Sequence, residues 1–589
     1  MNPNNLIRDQ KTPYFVFLFV ISLFYGLGSI YPYQIETDVA FQLKSLQQLL
    51  NGGSNLFNAL VIPNPNDLSV DIQRWIAWWP PGILFVFFPF IVLGLPLGAA
   101  VKLTTFILFI AGGWGWLKVA ELIEVKWLTK ILLSITLPIY AIGYATTSVA
   151  SGIGAGDILP FAYMPWMFLL TLRMTTFAGW QHESLSIKGL KLSSFGLLLG
   201  LVYWMKYSAF PVAIALVCYT IVGLVFEHKE TKAIQKLMLA AVFLVSFAIP
   251  FILLTALNQS LLGVSTAVDQ YLTADFLEQS PNPLLIGLSS LGLSFFQSTD
   301  WIQHFIFFNQ GFAALPASVD LFERNLLFQA SGIPGTFLAI YLLAKFRKSA
   351  GKAFSLMLLT TLIPIAALFY LSLKVGYNFL GGDLPRYSCI FIVLAQILAI
   401  DAFLSANTWQ DSTSQKQSFV LAIVNILAAL LLFATPNLWS ITNFTKNIVI
   451  DRVDTKYVST NNWLYVPTLS KHNVKAVINE IEGLVKSPND VVILNIPYHP
   501  NSVGAWLEIK SRCMLLNNPF FSAIAGSRNP EQIKISQALR VVFVCSKDVC
   551  DSQQKSTDLL NRFPQAKQWF EAKSNPETEV SIWYADLKV

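Results

Sequence analysis

The chain has 589 residues, of which 54% are hydrophobic and only 13% are charged, and its formal net charge is +6. Apolar runs of about eighteen or more residues with almost no ionisable group recur along it, which is typical of a polytopic α-helical membrane protein. The basic residues lie mostly between these runs, so the positive charge indicates membrane topology and excludes nucleic-acid binding as its explanation.

The first apolar run lacks a small-residue cleavage site, so we interpret Pro13–Tyr31 as a spanning helix and not as a removed signal peptide. About eleven apolar runs are long enough to cross a membrane. We predict spans at residues 13–31, 99–117, 128–149, 158–173, 192–206, 208–226, 237–257, 326–345, 354–373, 388–405 and 418–436.

The basic residues between the spans orient the chain, because short cytoplasmic loops carry an excess of Lys and Arg. One assignment makes all the basic loops cytoplasmic and places the N-terminus there too. The cytoplasmic basic residues are then Arg8, Lys11, Lys118, Lys126, Lys130, Arg173, Lys188, Lys191, Lys229, Lys232, Lys236, Lys345, Arg347, Lys348 and Lys352. Residues 32–98 and 258–325 become outer loops, and the C-terminal tail also lies outside.

This topology requires that residues 78–98, WWPPGILFVFFPFIVLGLPLG, do not change sides of the membrane. The four prolines of the segment each remove a backbone donor and interrupt regular helix, which favours an interfacial or re-entrant segment. An ordinary span kinked by proline is the alternative.

The composition changes abruptly after the last span, so we divide the chain into a transmembrane part, 1–439, and a soluble extracytoplasmic α/β domain, 440–589. Hydrophobic periodicity predicts helices at 474–486 and 555–563 and strands at 490–496, 540–545 and 578–587. Cys545 and Cys550 in CSKDVC are spaced for a small-loop disulfide in an oxidising compartment, with unpaired thiols as the alternative. No Cys or His spacing matches a zinc site.

Three acidic residues reach the outer boundary of the membrane. Glu36 and Asp38 precede a short amphipathic helix in which Val39, Leu43, Leu46 and Leu50 recur at helical spacing before Asn51-Gly52-Gly53. Asp157 opens the fourth span after SGIGAG. Helix capping explains Asp38 and Asp157 equally well, although capping does not exclude catalysis.

Basic residues reach the same boundary. Lys206 interrupts an apolar hairpin between two spans, and a lysine there has to face a cavity or reach the surface. Arg386 and Tyr387 open the tenth span, with Lys374 shortly before them. Arg binds phosphate through two parallel hydrogen bonds, while anchoring to lipid headgroups is the ordinary alternative for such residues.

Together these residues describe an outward cavity with carboxylates and phosphate-binding cations, which suits a sugar linked to a lipid phosphate. A carboxylate can take the proton of an acceptor hydroxyl as it attacks the anomeric carbon. Arg and Lys can stabilise the charge that gathers on the departing phosphate.

The motifs resemble those of the GT-C superfamily of membrane glycosyltransferases, in particular the branch that holds the protein O-mannosyltransferases and the lipid A aminoarabinose transferase. ETDVAFQLKSLQQLLNGGSNLF resembles the family's first-loop pattern, and WWPPG resembles the proline pair that opens its membrane-surface helix. Asp157 matches the second outer-loop acid, WMKYSAF the Thr-Lys-Gly turn, and DLPRYSCIF the Arg-Tyr motif. The resemblance covers most of residues 10–436.

The chain departs from the family pattern in two places. Glu36-Thr37-Asp38 stands where the family often has Asp-Glu, so either acid can be the base, and the spacing to Gly53 favours Asp38. Trp79 stands where a lysine usually precedes the proline pair.

The resemblance implies an inverting transfer from a polyprenyl-phosphate sugar donor to a protein, lipid or glycan acceptor on the outer face. It implies an integral protein of a membrane, which we take to be the bacterial plasma membrane. No cofactor is required, although Glu36, Asp38 and Asp157 together suit a divalent cation such as Mg²⁺ or Mn²⁺.

A transporter or flippase for lipid-linked saccharides is the main alternative, but we find no internal repeat of the kind such proteins commonly show. An inactive relative that recruits partners is a third reading.

Overall fold

The structure is a computed structural model. It describes residues 3–28, 37–145, 158–176, 183–226, 232–263, 333–341, 351–375, 392–406, 474–496, 499–516, 533–546, 561–572 and 580–589, together with a few single residues and pairs between them.

Helices make up most of the described part of the chain. They are α1 (Pro3–Gly28), α2 (Thr37–Leu50), α3 (Gly82–Val92), α4 (Leu97–Leu122), α5 (Trp127–Ala145), α6 (Ile158–Thr176), α7 (Leu185–Met205), α8 (Phe210–Phe226), α9 (Ala233–Leu262), α10 (Gly351–Val375), α11 (Ile392–Ala406), α12 (Val474–Leu484) and α13 (His499–Glu508). The strands are β1 (Ala59–Asn64), β2 (Asp67–Trp75), β3 (Val491–Asn495), β4 (Cys513–Leu515), β5 (Leu539–Ser546), β6 (Phe570–Glu571) and β7 (Val580–Leu587).

Five helices among the described residues are long and apolar enough to cross a membrane, namely α4, α7, α8 with its preceding turn, α9 and α10. They coincide with five of the predicted spans. Helices α1, α5, α6 and α11 occupy four further predicted spans. Of the remaining two, 326–345 is described as helix only at 333–341, and 418–436 lies outside the described residues.

Ring contacts give the relative direction of the helices. Helices α4 and α6 run parallel, since Phe109 packs on Phe161 at 5.9 Å and Trp116 packs on Phe168 at 5.2 Å. Helix α1 runs against α4, because Tyr14 packs on Trp114 at 4.7 Å while Tyr25 packs on Phe106 at 4.9 Å.

The remaining described helices extend the same arrangement. Helices α7 and α9 run parallel, since Phe195 packs on Phe243 at 5.6 Å and the indole of Trp204 donates to the Pro250 carbonyl at 2.7 Å. Lys236, at the start of α9, donates to the carbonyl of Val225 near the end of α8. The bundle therefore has a basic end, with Lys118, Lys126, Lys130, Arg173, Lys188, Lys191, Lys232 and Lys236, and an opposite end, here called the loop end, with α2, the β1–β2 hairpin and Lys206.

The proline-rich segment 78–98 contains helix α3, which is too short to cross a membrane. Its 11 residues extend about 16 Å along the helix axis, whereas a bilayer core is about 30 Å thick. Ile83 and Phe87 are buried, while Phe85 and Leu93 are exposed. One apolar side therefore packs on the protein and the other is exposed on its surface. The interfacial position of the segment stays a prediction.

A β-hairpin inside the first loop was not predicted. Strands β1 and β2 are antiparallel, with Ala59 opposite Trp75 and Ile62 opposite Ile72. The backbone N–H of Asn66 donates to the side chain of Asn64, which closes the turn.

The C-terminal part forms a five-stranded sheet in the order β4-β3-β5-β7-β6. Strand β3 is parallel to β4 and β5, while β7 is antiparallel to β5 and β6.

The predicted helix 474–486 and the strands 490–496, 540–545 and 578–587 appear as α12, β3, β5 and β7. The predicted helix 555–563 lies mostly outside the described residues. Cys545 is disulfide-bonded, and Cys550, the partner that the sequence suggests, also lies outside them.

Candidate functional site

The residues predicted to form the site differ in how far the structure describes them. Asp38 is the second residue of α2, Lys206 lies in the turn between α7 and α8, and Lys374 is the penultimate residue of α10. The other predicted site residues, Glu36, Asp157, Arg386 and Tyr387, lie outside the described residues.

Two side-chain amides fasten α2 to the segment Trp78–Gly82. The amide of Gln42 donates to the carbonyl of Pro80 at 2.7 Å and to the Asn58 side chain at 3.3 Å. Asn58 in turn donates to the carbonyls of Ile76 at 2.6 Å and Trp79 at 3.1 Å. Both amides are buried, so these bonds satisfy polar groups that water does not reach.

The same segment packs directly on the end of α7, next to Lys206. A Cβ added at Gly82 would lie 2.5 Å from the carbonyl oxygen of Trp204 and 2.9 Å from the Cα of Met205. Only glycine allows this approach. Lys206 directly follows Met205 and ends α7 in an extended conformation. Lys206 is buried, with 8% of its surface exposed.

The hairpin also binds the bundle. The indole N–H of Trp75 donates to Asn258 on α9 at 2.8 Å, and the Tyr207 hydroxyl donates to the carbonyl of Ala77 at 3.0 Å. Tyr203 lies between these contacts, with its ring centroid 4.8 Å from that of Tyr207. The first loop is therefore held by α9 and by the α7–α8 turn.

These contacts connect Asp38 and Lys206 through adjacent parts of the structure. Helix α2 carries Asp38 and binds Pro80 through Gln42, and two residues later Gly82 packs on the last turn of α7 before Lys206. The predicted first-loop acid and the predicted turn lysine therefore lie at the same end of the bundle, as the topology requires.

The C-terminal sheet domain docks on this first loop. The Lys44 ammonium donates to the carbonyls of Trp506 at 2.8 Å and Ile509 at 2.7 Å. Arg512 forms an ion pair with Asp71 on the hairpin, with 2.6 Å between Nη2 and Oδ1. Sequence reasoning gave the two parts separately and did not predict that they bind each other.

Burial shapes the electrostatics of this contact. Burial lowers the pKa of Lys44 to about 8, although the nearby Cys513, Glu482 and Glu508 act against that shift. Burial also raises the pKa of Glu508, whose carboxylate accepts a hydrogen bond from Ser459.

No group of three or more His, Cys, Asp or Glu side chains that could hold a metal ion occurs among the described residues. Two of the three carboxylates predicted to hold a divalent cation, Glu36 and Asp157, lie outside that part of the chain. A cation at this position stays a prediction.

Sequence reasoning passed over Lys102, a buried lysine in α4. It lies two turns before Phe109, on the side of α4 that packs against Phe161 of α6. Helices α4 and α6 run parallel, so Lys102 lies near the level at which α6 begins, directly after Asp157. A lysine at the fourth position of the predicted span 99–117 was the available signal.

No protein-family model and no curated protein sequence matches this chain. Among solved structures, the chain is similar to ArnT from Cupriavidus metallidurans bound to undecaprenyl phosphate, with 10% identity, a TM-score of 0.48 and coverage of 98% of each chain. It is also similar to the arabinofuranosyltransferase AftD from Mycobacteria, with 11% identity and a TM-score of 0.48, over 97% of this chain and 40% of that one.

The close approach at Gly82 gives a test of the geometry. Because an added Cβ meets backbone atoms, Gly82→Ala should lower the free energy of unfolding by about 1–3 kcal/mol. The measurement is thermal unfolding of the purified protein in detergent. Gly189→Ala is the matched control, since nothing lies within 4 Å of its added Cβ, and alanine favours helix there. Equal stability of the two variants would contradict the described packing.

The lowered pKa of Lys44 gives a pH dependence. Between pH 8 and 10.5 the unfolded state binds the proton that the folded state has released, so wild-type stability should rise with pH relative to Lys44→Met. A full shift corresponds to roughly 3 kcal/mol. Melting curves of both proteins at pH 7.5 and 9.5 measure it. A difference in stability that stays constant over this range would show that Lys44 keeps an ordinary pKa.

Proposed function

We propose that the chain is a membrane glycosyltransferase, which moves a sugar from a polyprenyl-phosphate donor to an acceptor hydroxyl at the loop end of the bundle. The observation that carries this proposal is the continuous set of contacts from α2 through Pro80 and Gly82 to the last turn of α7. It keeps an acid-bearing helix and a buried lysine at one end of an apolar bundle.

In the proposed reaction Asp38 takes the proton from the acceptor hydroxyl as its oxygen attacks the anomeric carbon. The bond from that carbon to the phosphate oxygen breaks on the opposite side, so the product has inverted configuration. Lys206, Arg386, Tyr387 and Lys374 are the proposed ligands of the departing lipid phosphate, whose developing charge they stabilise. Glu36 and Asp157 are the other candidate carboxylates, and a divalent cation held by the acids is an addition that the reaction does not require.

We propose that the basic end faces the cytoplasm and that the loop end and the C-terminal domain lie outside the bacterial plasma membrane. Short cytoplasmic loops carry the excess of Lys and Arg, and eight such residues lie at one end of the described helices. The proposed boundary between the transmembrane part, 1–439, and the extracytoplasmic domain, 440–589, follows the change in composition. Membrane lipids and an unidentified lipid, glycan or protein acceptor are the proposed partners.

A transporter or flippase is the alternative function. Alternating access requires one part of a bundle to rock against another around the substrate site. Here the first loop binds α7, α9 and the C-terminal domain at the same time. Contacts to several elements at once oppose a rocking motion of one part against another, which favours a transferase over a transporter.

The assay that separates the two functions uses the full chain in lipid nanodiscs. The donors are undecaprenyl-phosphate-linked pentoses and hexoses, a lipid chosen because the similar ArnT structure contains undecaprenyl phosphate. Detergent-solubilised cell envelope supplies acceptors, and mass spectrometry detects released undecaprenyl phosphate. A transferase releases it, whereas a flippase returns the donor intact.

Asp38→Asn tests the proposed base. Because asparagine accepts no proton from the acceptor, we expect kcat to fall by about 10²–10⁴-fold with normal membrane insertion. Asp71→Asn, an acidic residue in the same loop but on the hairpin, is the control and should keep wild-type activity. Full activity of Asp38→Asn would remove this residue as the base.

Arg386→Ala tests the proposed phosphate contact. The loss of a charged hydrogen bond to the donor should raise the KM for donor by about 10–100-fold, with a smaller change in kcat. Arg173→Ala, an exposed basic residue at the opposite end of the bundle, is the control. Normal product formation at limiting donor would contradict the assignment.

A further inference from the structure

Helix α2 is buried far more completely than its sequence pattern predicts. Every residue from Val39 to Leu46 is buried, including the polar Gln42, Lys44 and Ser45. The helix lies outside the bundle, so the membrane helices alone do not cover it. The C-terminal domain supplies the second wall.

The centre of this wall is the C-terminal end of α13. The last carbonyls of a helix have no partner within the helix. The carbonyl of Trp506 lacks its usual donor, because the N–H of Lys510 instead donates to Glu482 at 2.6 Å. The Lys44 ammonium takes that place, with bonds of 2.8 and 2.7 Å to Trp506 and Ile509.

Charge and packing strengthen the same contact. A cation is favoured at the negative end of a helix dipole, and Lys44 also lies 5.6 Å from the centroid of the Trp506 ring. Phe41, one turn before Lys44, packs on Trp79 at 5.5 Å and on Trp506 at 5.0 Å. The ring of Phe41 therefore joins the Trp78–Gly82 segment to α13.

We propose that the C-terminal sheet domain is a structural part of the transfer site and that Lys44 is the positioning residue through which it acts. Asp38 and Lys44 lie on one rigid helix, six residues apart, so a shift of α2 at Lys44 moves Asp38 with it. This inference rests on the proposed glycosyltransferase function. It assigns the domain a role in aligning the carboxylate that is proposed to act as the base.

The test compares Lys44→Met, which removes the donors at similar length, with Asp71→Asn. Both changes weaken a contact between the first loop and the C-terminal domain, since methionine lacks the ammonium donors and asparagine lacks the carboxylate charge, but only the first acts on α2. A misplacement of about 1 Å costs on the order of 10²-fold in rate, so we expect Lys44→Met to lower kcat by about 10–100-fold with little change in the KM for donor. Asp71→Asn should retain wild-type kcat. Lys44→Gln keeps an N–H donor at shorter reach, so its kcat should lie between those of wild type and Lys44→Met.

The second measurement is amide hydrogen exchange of the full chain in nanodiscs. Residues 39–50 should exchange faster in Lys44→Met and at the wild-type rate in Asp71→Asn. Unchanged exchange and kcat in Lys44→Met would overturn the proposal. A lower kcat without faster exchange would also overturn it, since Lys44 would then act on the reaction by another route.

The two measurements separate this inference from the proposed function. If the wild-type chain releases no undecaprenyl phosphate but Lys44→Met still loosens α2, the transferase function fails while the anchoring contact stands. If the wild-type chain is active and Lys44→Met retains both activity and slow exchange, the function stands and the positioning role fails.

Discussion

The arrangement of the loop end depends on how the backbone carbonyls of a proline-rich segment find donors. Pro80 and Pro81 have no N–H groups, so the segment from Ile76 to Gly82 cannot satisfy its own carbonyls as a helix or strand would. The amides of Gln42 and Asn58 supply the donors, from α2 on one side and from the start of the hairpin on the other. Asn58 does so from the left-handed region, at φ of 57°, which asparagine tolerates better than most residues.

These hydrogen bonds fix the position of the elements that follow the segment. Once Pro80 is bound to α2, Gly82 reaches the last turn of α7 and the short α3 lies along the bundle. Such packing would preorganise the proposed site, because its groups are aligned before a substrate arrives. Asp38 lies on α2 and Lys206 follows α7. Both helices contact the same segment, α2 at Pro80 and α7 at Gly82.

The sequence was informative where a pattern is local. The periodicity of α2, nine of the eleven apolar runs and the strands β3, β5 and β7 all arise from neighbouring residues, and each appears close to its predicted bounds. The prolines of 78–98 favoured an interfacial or re-entrant segment, and the helix in that segment, α3, has only 11 residues. The hairpin was missed because β2 has an exposed, polar face, which weakens the apolar pattern of the segment.

The contacts that join the two parts of the chain could not be predicted in the same way. Lys44 and Trp506 are 462 positions apart, and nothing in either local sequence specifies the other. A lysine in an amphipathic helix normally indicates a solvent-facing side, whereas Lys44 is buried because a second surface covers it. Lys102 was missed for a related reason, since a single charge inside a long apolar run hardly changes its average hydropathy.

The predicted boundary near residue 440 marks a change in composition. Side chains from the two sides of this boundary nevertheless pack against each other. Phe41 lies between Trp79 from the first loop and Trp506 from the C-terminal domain. Without that domain, α2 would expose a contiguous apolar surface and a lysine whose hydrogen-bond partners are gone. A shortened chain that ends after the last span would therefore lack one wall of the helix that carries Asp38. The two compositional parts form a single structural unit at the loop end, since neither part alone encloses α2.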